Sequence, residues 1–281
     1  MLARQRRLKI QTLAVLVDAA LAVGVLTILC ACASNPRPLA SHRVASCSAT
    51  AAPGMKARAI PSIRVPKVVE IPSDASLYGV AISGLTTVFT AIGPVTSKCI
   101  LSIGADGGSF LSIGHAPSDS ISEVYVPGGA TITTGWACEY VPQVMAAARA
   151  LLGSGSECYQ GEGYPYGEIV NEVPTHLRDT FITTVVVPPG VADGIIASQP
   201  SKVTIFAIFA VRTNTIDHKP AVTSSPEISC ELPYREEPVC KASLDYFAAT
   251  FLSASGAESP VASLVVAAIN QDLGLAGHAG N

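Results

Sequence analysis

The first 31 residues constrain this chain most, because their pattern decides the compartment in which the remainder folds. Four cations, Arg4, Arg6, Arg7 and Lys9, precede a run from Thr12 to Leu29 that is apolar except for Thr12, Asp18 and Thr27. A basic start, an apolar run and then small residues are typical of a secretory signal peptide. The alternative is a single N-terminal transmembrane helix, which needs about 20 apolar residues. A mid-membrane carboxylate such as Asp18 costs about 2.5–3.5 kcal/mol, which favours a signal peptide over residues 1–31.

The residues that end this run resemble a bacterial lipobox. Leu29, Cys30, Ala31 and Cys32 follow its order of an aliphatic residue, two small residues and a cysteine, with Cys30 in place of the usual Ser, Ala or Thr. The resemblance implies cleavage before Cys32 and acylation of its thiol. Acyl chains contribute about 0.8 kcal/mol per buried CH₂, so the membrane becomes a partner through the lipid. Ordinary secretory cleavage, which would give a freely secreted protein, is the alternative.

Six further cysteines stand behind this export signal, and an even number in an oxidising compartment predicts disulfides. Cys230 and Cys240 bracket a short segment with two prolines, which predicts that they pair. For the rest we predict Cys99 with Cys138 and Cys47 with Cys158. The chain has no C-x-x-C pair and no Cys and His cluster with zinc spacing, so we expect no metal. No cofactor motif is present either.

The charge distribution is uneven although only 14% of residues are charged. Ten cations and one acid lie up to Lys67, whereas eight cations and twenty acids follow. An acidic body is a poor nucleic-acid ligand, because binding requires Lys and Arg to neutralise phosphates. The Ala-, Ser- and Pro-rich residues 32–61 are interpreted as a cationic tether that anionic lipid head groups attract.

Short β-branched and aromatic runs from residue 62 onward predict strands. Two copies of Leu-Ser-Ile flank Asp106-Gly107-Gly108, which predicts a hairpin, and residues 122–126 and 131–136 predict another pair. Residues 180–187 and 203–211 are apolar on both faces, as expected of central strands. Helical spacing of apolar residues occurs at 141–152 and 244–251 and again at about 259–273, where Ser259 and Pro260 predict the start of a helix. The predicted fold class is α+β: mostly antiparallel sheet with two or three covering helices, disulfide-braced, in a single domain over 62–281.

Catalytic signatures are weak. The chain has no G-x-S-x-G elbow, and an envelope serine hydrolase would have to use a serine with His115 or His176. His176 has Asp179 three residues later, and His115 precedes the acidic segment Ala116–Ser120. Each histidine is more typical of a loop residue with a local carboxylate than of a catalytic base.

The most unusual segment is the loop from Glu157 to Glu172. Tyrosines are common at recognition surfaces, because they offer a flat apolar face and a polar tip at low entropic cost. The loop therefore predicts a surface for an envelope ligand or a protein partner. Its acids and tyrosines are Glu157, Tyr159, Glu162, Tyr164, Tyr166, Glu168 and Glu172.

These patterns together predict an exported, lipid-anchored protein of the cell envelope with a binding or interaction role and no catalysis. The serine hydrolase is the first alternative and a purely structural envelope protein is the second.

Overall fold

The computed structural model describes residues 41–50, 55–104, 108–116, 119–125, 140–141, 143–144, 169–188, 201–216, 219–254 and 259–277. They belong to one compact unit, residues 40–281. The helices are α1 (Glu237–Ala254) and α2 (Ser259–Gly277), and a 3₁₀ turn, Tyr234–Glu236, precedes α1. The strands are β1 (Ser41–Ser46), β2 (Ser48–Thr50), β3 (Ala57–Arg58), β4 (Ser62–Arg64), β5 (Ala75–Ile82), β6 (Val88–Pro94), β7 (Lys98–Ile103), β8 (Ser109–Ala116), β9 (Asp119–Tyr125), β10 (Ile169–Val173), β11 (Thr180–Val186), β12 (Lys202–Ile216), β13 (Lys219–Ser224) and β14 (Glu227–Pro233).

The strands form two sheets, and most pairs are antiparallel, as predicted. The larger sheet has the order β10-β11-β12-β14-β9-β8-β7-β2, with β13 paired to the end of β12. In the smaller sheet β5 pairs with β6 along one edge and with β1 and β3 along the other, and β4 pairs with β1. The parallel pairs are β1 with β5 and β2 with β7. The predicted α+β class, mostly sheet with disulfides, is confirmed.

One face of the larger sheet is covered by two different layers. Near β7 and β8 it packs on the smaller sheet, so that Leu101, Leu111 and Ile113 share a core with Tyr78 and Val80. The sheets approach closely at Gly93, where a Cβ atom would collide with the side chain of Ile113. Near β12 and β14 the same face packs on α1 and α2, with Phe209 edge-on to Phe247 at 5.0 Å between ring centroids.

The opposite face of β12 is also buried. Its residues Phe206, Ile208 and Ala210 pack in a second core with Tyr140 and Val144. The prediction that 180–187 and 203–211 form central strands is therefore confirmed, since β11 and β12 are buried on both faces. Most backbone groups of β12 are paired with β11, β13 and β14.

The predicted Leu-Ser-Ile hairpin is confirmed as β7 and β8, with Leu101 opposite Leu111. The helices predicted at 244–251 and 259–273 are confirmed as parts of α1 and α2. On α2, Val265 and Ile269 are buried as the stripe predicts, whereas Leu264 is 56% exposed. Residues 131–136, the predicted partner of β9, and most of the predicted helix at 141–152 lie outside the described residues.

The prediction of a tether over 32–61 is wrong for residues 41–50 and 57–58, which form strands. Val44 is buried between β5 and the helices, and β1 continues through Cys47 into β2, so the chain passes from the smaller sheet to the larger. Backbone hydrogen bonds hold this segment, and they do not depend on side-chain type. For that reason its Ala- and Ser-rich composition did not reveal the strands.

Two disulfides are present among the described residues. Cys230–Cys240 joins β14 to the first turn of α1 and confirms the predicted pair. Cys47–Cys99 joins the crossing between the sheets to β7. It overturns the predicted pairs Cys99–Cys138 and Cys47–Cys158, because each thiol forms one bridge. Cys138 and Cys158 lie outside the described residues.

Candidate functional site

A groove of about 480 Å³ lies between α1, α2 and residues 68–72. Each helix contributes residues spaced three or four apart, which lie on one face of a helix. The two rows of residues face each other across the groove, and residues 68–72 form its third wall. The rows are Pro238, Lys241, Ala242 and Asp245 on α1, and Ser263, Val266, Ala267 and Asn270 on α2.

The position of α1 is fixed at its start. Pro238 lies in the first helical turn, where a missing N–H group costs nothing, and the acid of Glu237 suits the positive end of the helix dipole. Cys240 is fully buried and bonded to Cys230. Lys241 and Asp245 are therefore carried on a helix end that is covalently tied to the sheet.

The third wall is the segment that connects β4 to β5. Val65 and Val69 are buried in the core shared by the smaller sheet and the helices, and the Val69 N–H donates to the carbonyl of Pro66 at 3.0 Å. The turn leaves Glu70 exposed at the rim of the groove. The segment thus brings one carboxylate to the rim.

Asp245 and Asn270 form the polar floor of the groove. Asp245 is only 6% exposed, and Asn270 Nδ2 donates to its Oδ2 at 3.2 Å. The remaining carboxylate oxygen, Asp245 Oδ1, and the amide oxygen, Asn270 Oδ1, are buried without a hydrogen-bond partner in the described part of the chain. Buried acceptors of this kind are costly and few in folded proteins. The floor therefore contains two hydrogen-bond acceptors, one on Asp245 and one on Asn270, that no described residue uses.

Burial raises the pKa of Asp245 to about 6. The hydrogen bond from Asn270 and the nearby charge of Lys241 act in the opposite direction and limit the rise. The carboxyl is consequently ionised at neutral pH in spite of its burial. A desolvated carboxylate of this kind binds a cation more strongly than an exposed one does.

The ionisable residues that line the groove are Glu70, Lys241 and Asp245, which gives a net charge of −1 when all three are ionised. The rest of the lining is mostly apolar, including Val68, Val266 and Ala267. The groove can therefore accept a group that donates hydrogen bonds and carries positive charge, with apolar atoms attached.

A second buried acid is Glu123 of β9. It faces the core between Leu111 and Ile228, its cross-strand neighbours. Burial raises its pKa well above the ordinary value. Its Oε1 has no hydrogen-bond partner in the ranges that the structure describes.

Tyr246 of α1 lies near Glu123. Its hydroxyl is 2.8 Å from Thr90 Oγ1 of β6. Burial, together with the charge of Glu123, raises the pKa of Tyr246. We assign this cluster no ligand.

The two candidate catalytic histidines lie apart from the groove. His115 is exposed near the end of β8. His176 is exposed in the turn between β10 and β11 with φ of 57°, and Thr175 holds that turn by donating to the carbonyl of Thr180 at 2.7 Å. Neither imidazole has a hydrogen bond to a serine among the described residues, and the hydrolase hypothesis gains no support.

Of the acids and tyrosines in the predicted binding loop, Glu172 is the one that the structure describes, and it is exposed on the edge strand β10. Its other residues, Glu157, Tyr159, Glu162, Tyr164, Tyr166 and Glu168, lie outside the described residues. Cys32 does so as well. The loop as a partner surface and Cys32 as the lipidated residue stay predictions.

The described ranges contain no group of three or more His, Cys, Asp or Glu residues placed to hold a metal ion. None of their helices combines the length and the apolar character needed to cross a bilayer.

A scan against protein-family models found no match, and searches of curated proteins and of solved structures found no similar chain. The groove is accordingly interpreted from its own geometry.

Sequence reasoning missed the groove residues. Lys241 and Asp245, four residues apart beside the apolar stripe of α1, are typical of a solvated helix face. The pairing of Asp245 with Asn270, 25 residues later, depends on how α1 and α2 pack. One sequence signal could have found them: Asp245 and Asn270 each directly follow an apolar residue of a helical stripe, Leu244 and Ile269, and both of these are buried.

Proposed function

We propose that this protein is an exported, lipid-anchored component of the cell envelope whose folded body binds a small molecule in the groove between α1 and α2. The observation that carries the binding role is the polar floor, in which Asp245 Oδ1 and Asn270 Oδ1 are buried and have no partner among the residues that the structure describes. A structural helix–helix contact would be expected to satisfy both acceptors or to replace them with apolar groups.

The groove has the character of a small-molecule site. Its volume of about 480 Å³ falls in the range of about 300–1,000 Å³ that is typical of such sites, and its mostly apolar lining with a few polar groups is equally typical. The rigid support of the α1 end by the Cys230–Cys240 bridge reduces the entropy lost on binding.

Two observations support export. Residues 1–31 have the order of a signal peptide, and two disulfides fit an oxidising compartment. The lipid anchor rests on the resemblance of residues 29–32 to a lipobox.

The binding role is tested by the small molecules that the protein retains. Wild-type protein is purified from its native host, denatured, and the released compounds are identified by mass spectrometry. An Ala267→Trp variant fills the groove from an exposed position on α2, and Ala116→Trp, exposed on β8, is its matched control. We expect a compound that wild type and Ala116→Trp release and that Ala267→Trp does not. Release of the same compounds from all three proteins would contradict a groove function.

The anchor is tested on the membrane fraction. We expect the N-terminal peptide to begin at a diacylated Cys32, and Cys32→Ala to shift the protein out of that fraction. Cys30→Ala is the matched control, because that cysteine is removed with the signal peptide. An unmodified Cys32 in the mature protein would refute the anchor.

A further inference from the structure

We infer that the groove recognises a primary ammonium group carried on a short alkyl stem, with Asp245 and Asn270 as its acceptors. This inference rests on the proposed binding function and names the chemical class of its ligand.

The first step is the match between donors and acceptors. An alkylammonium group has three N–H donors and no acceptor. The floor offers Asp245 Oδ1 and Asn270 Oδ1, both buried without a described partner, so a ligand reaches them once the two side chains shift slightly toward the groove. The orientation of the Asn270 amide follows from its bond to Asp245 Oδ2, which turns the amide oxygen into the remaining acceptor. A carboxylate or phosphate would meet only acceptors there.

The second step is the charge. Glu70, Lys241 and Asp245 are the ionisable groups of the lining. With all three ionised, one positive charge on the ligand makes the occupied groove neutral. An anionic ligand would double the uncompensated charge beside the desolvated carboxylate of Asp245.

The third step is the stem. Buried Ala242 and Val266 lie beside the floor, and Val68 and Ala267 line the groove further out. These surfaces suit methylene groups, because burying apolar atoms away from water is favourable. A polar body attached beyond the stem would reach the rim, where Glu70 and Ser263 are exposed.

The inference is tested by isothermal titration of the full mature protein at pH 8 with three probes that share one stem: n-butylammonium, n-butanol and butyrate. We expect binding of n-butylammonium, at least about tenfold weaker binding of n-butanol, since a charge-assisted hydrogen bond is lost, and no binding of butyrate. Equal binding of n-butanol, or binding of butyrate, would overturn the assignment of the head group. The groove function itself would survive that result if Ala267→Trp still lost a host compound.

Substitutions then locate the head group. Asp245→Asn should weaken n-butylammonium binding at least about tenfold, while Asp74→Asn, an equal change of charge at an exposed residue outside the groove, should leave it within about twofold. Retained affinity in Asp245→Asn would overturn the inference. A thermal melt of the variant confirms that it is folded.

An exposed position provides a test that does not depend on the floor. Lys241 repels a cation at Asp245, so Lys241→Gln should tighten n-butylammonium binding by about threefold or more. If Lys241 instead binds an anionic part of the ligand, the substitution tightens nothing and butyrate binding is lost. That pattern would overturn the ammonium assignment.

Discussion

Two buried carboxyl groups lie near α1, and the difference between them explains why we propose only one of them as part of a ligand site. Asp245 of α1 faces the groove and has an amide donor from Asn270 and a cation, Lys241, near it. Glu123 of β9 is buried to a similar extent, and its Oε1 has no described partner. Burial raises both pKa values: that of Asp245 to about 6, where the Asn270 donor and Lys241 limit the rise, and that of Glu123 well above its ordinary value.

The comparison shows what allows a buried acid to keep its charge. Partial compensation by a donor and a cation leaves Asp245 ionised at pH 7, with one oxygen still unused. Without such compensation, burial raises the pKa of Glu123 well above its ordinary value and disfavours its charged form. A ligand site needs the first environment, because it needs a charge that a ligand can neutralise.

The largest effect is expected for Glu123→Lys. An ammonium group without a partner in that enclosed position should lower the free energy of unfolding by about 3–5 kcal/mol, measured by urea denaturation. Glu172→Lys, at an exposed strand position, should change it by less than about 0.5 kcal/mol. Equal effects of the two substitutions would show that Glu123 is not enclosed.

Removal of the bridge that holds α1 should have the next effect. Cys230→Ser with Cys240→Ser opens a loop of 10 residues and should cost about 3 kcal/mol. It should also weaken n-butylammonium binding, because the α1 end that carries Lys241 is no longer tied to the sheet. Opening Cys47–Cys99, at the other end of the larger sheet, should leave the affinity of the folded protein unchanged. If both double variants bind equally well, the bridge does not support the groove.

Asp245→Asn should increase stability while it removes binding. Its folded pKa of about 6 exceeds the ordinary value of 3.8, so the folded state binds more protons than the unfolded state between those values. Wild-type stability should therefore fall as pH rises from about 4 to about 6 and then level off.

The full change in this pKa corresponds to about 3 kcal/mol, and the lost charge-assisted bond to Asn270 offsets part of it. We expect a gain of about 1–2 kcal/mol at pH 7 and none below pH 4, measured by urea denaturation at several pH values. A loss of stability at pH 7 would mean that the carboxylate is a structural partner of Asn270 rather than a binding group.

Tyr246→Phe should have the smallest effect. It removes the bond to Thr90, at 2.8 Å, and should cost about 1 kcal/mol of unfolding free energy. Although Tyr246 follows Asp245 directly, its side chain lies about 100° further around the helix. We therefore expect n-butylammonium affinity to stay unchanged. A weaker affinity would show that the surroundings of Tyr246 affect the groove, and the contrast between Asp245 and Glu123 would not hold.

The sequence predicted features whose signal is local. The Leu-Ser-Ile repeat around a Gly-rich turn, the doubly apolar runs of β11 and β12, and the stripes of α1 and α2 each lie within one element or hairpin. The Cys230–Cys240 disulfide could be predicted for the same reason, since only a short segment separates the two cysteines.

The features that were missed depend on contacts between distant parts of the chain. β1 pairs with β5, and Cys47 bonds to Cys99, 52 residues away; no local period records either contact. In the sequence, Asp245 and Asn270 likewise each resemble an ordinary residue on the polar face of a helix, and only the packing of α1 on α2 brings them together. The composition of the tyrosine- and glutamate-rich loop led to the prediction of a binding surface there. The polar floor of the groove, in contrast, consists of residues that composition does not distinguish from others.

A carboxyl-detected NMR titration of the mature protein, with and without saturating n-butylammonium, measures both acids at once. We expect Asp245 to titrate near pH 6 in the free protein and at a lower pH in the complex, because the bound cation stabilises the carboxylate. The midpoint of Glu123, which burial raises above its ordinary value, should be the same in both spectra. An Asp245 midpoint that the ammonium does not move would contradict a cation site in this groove.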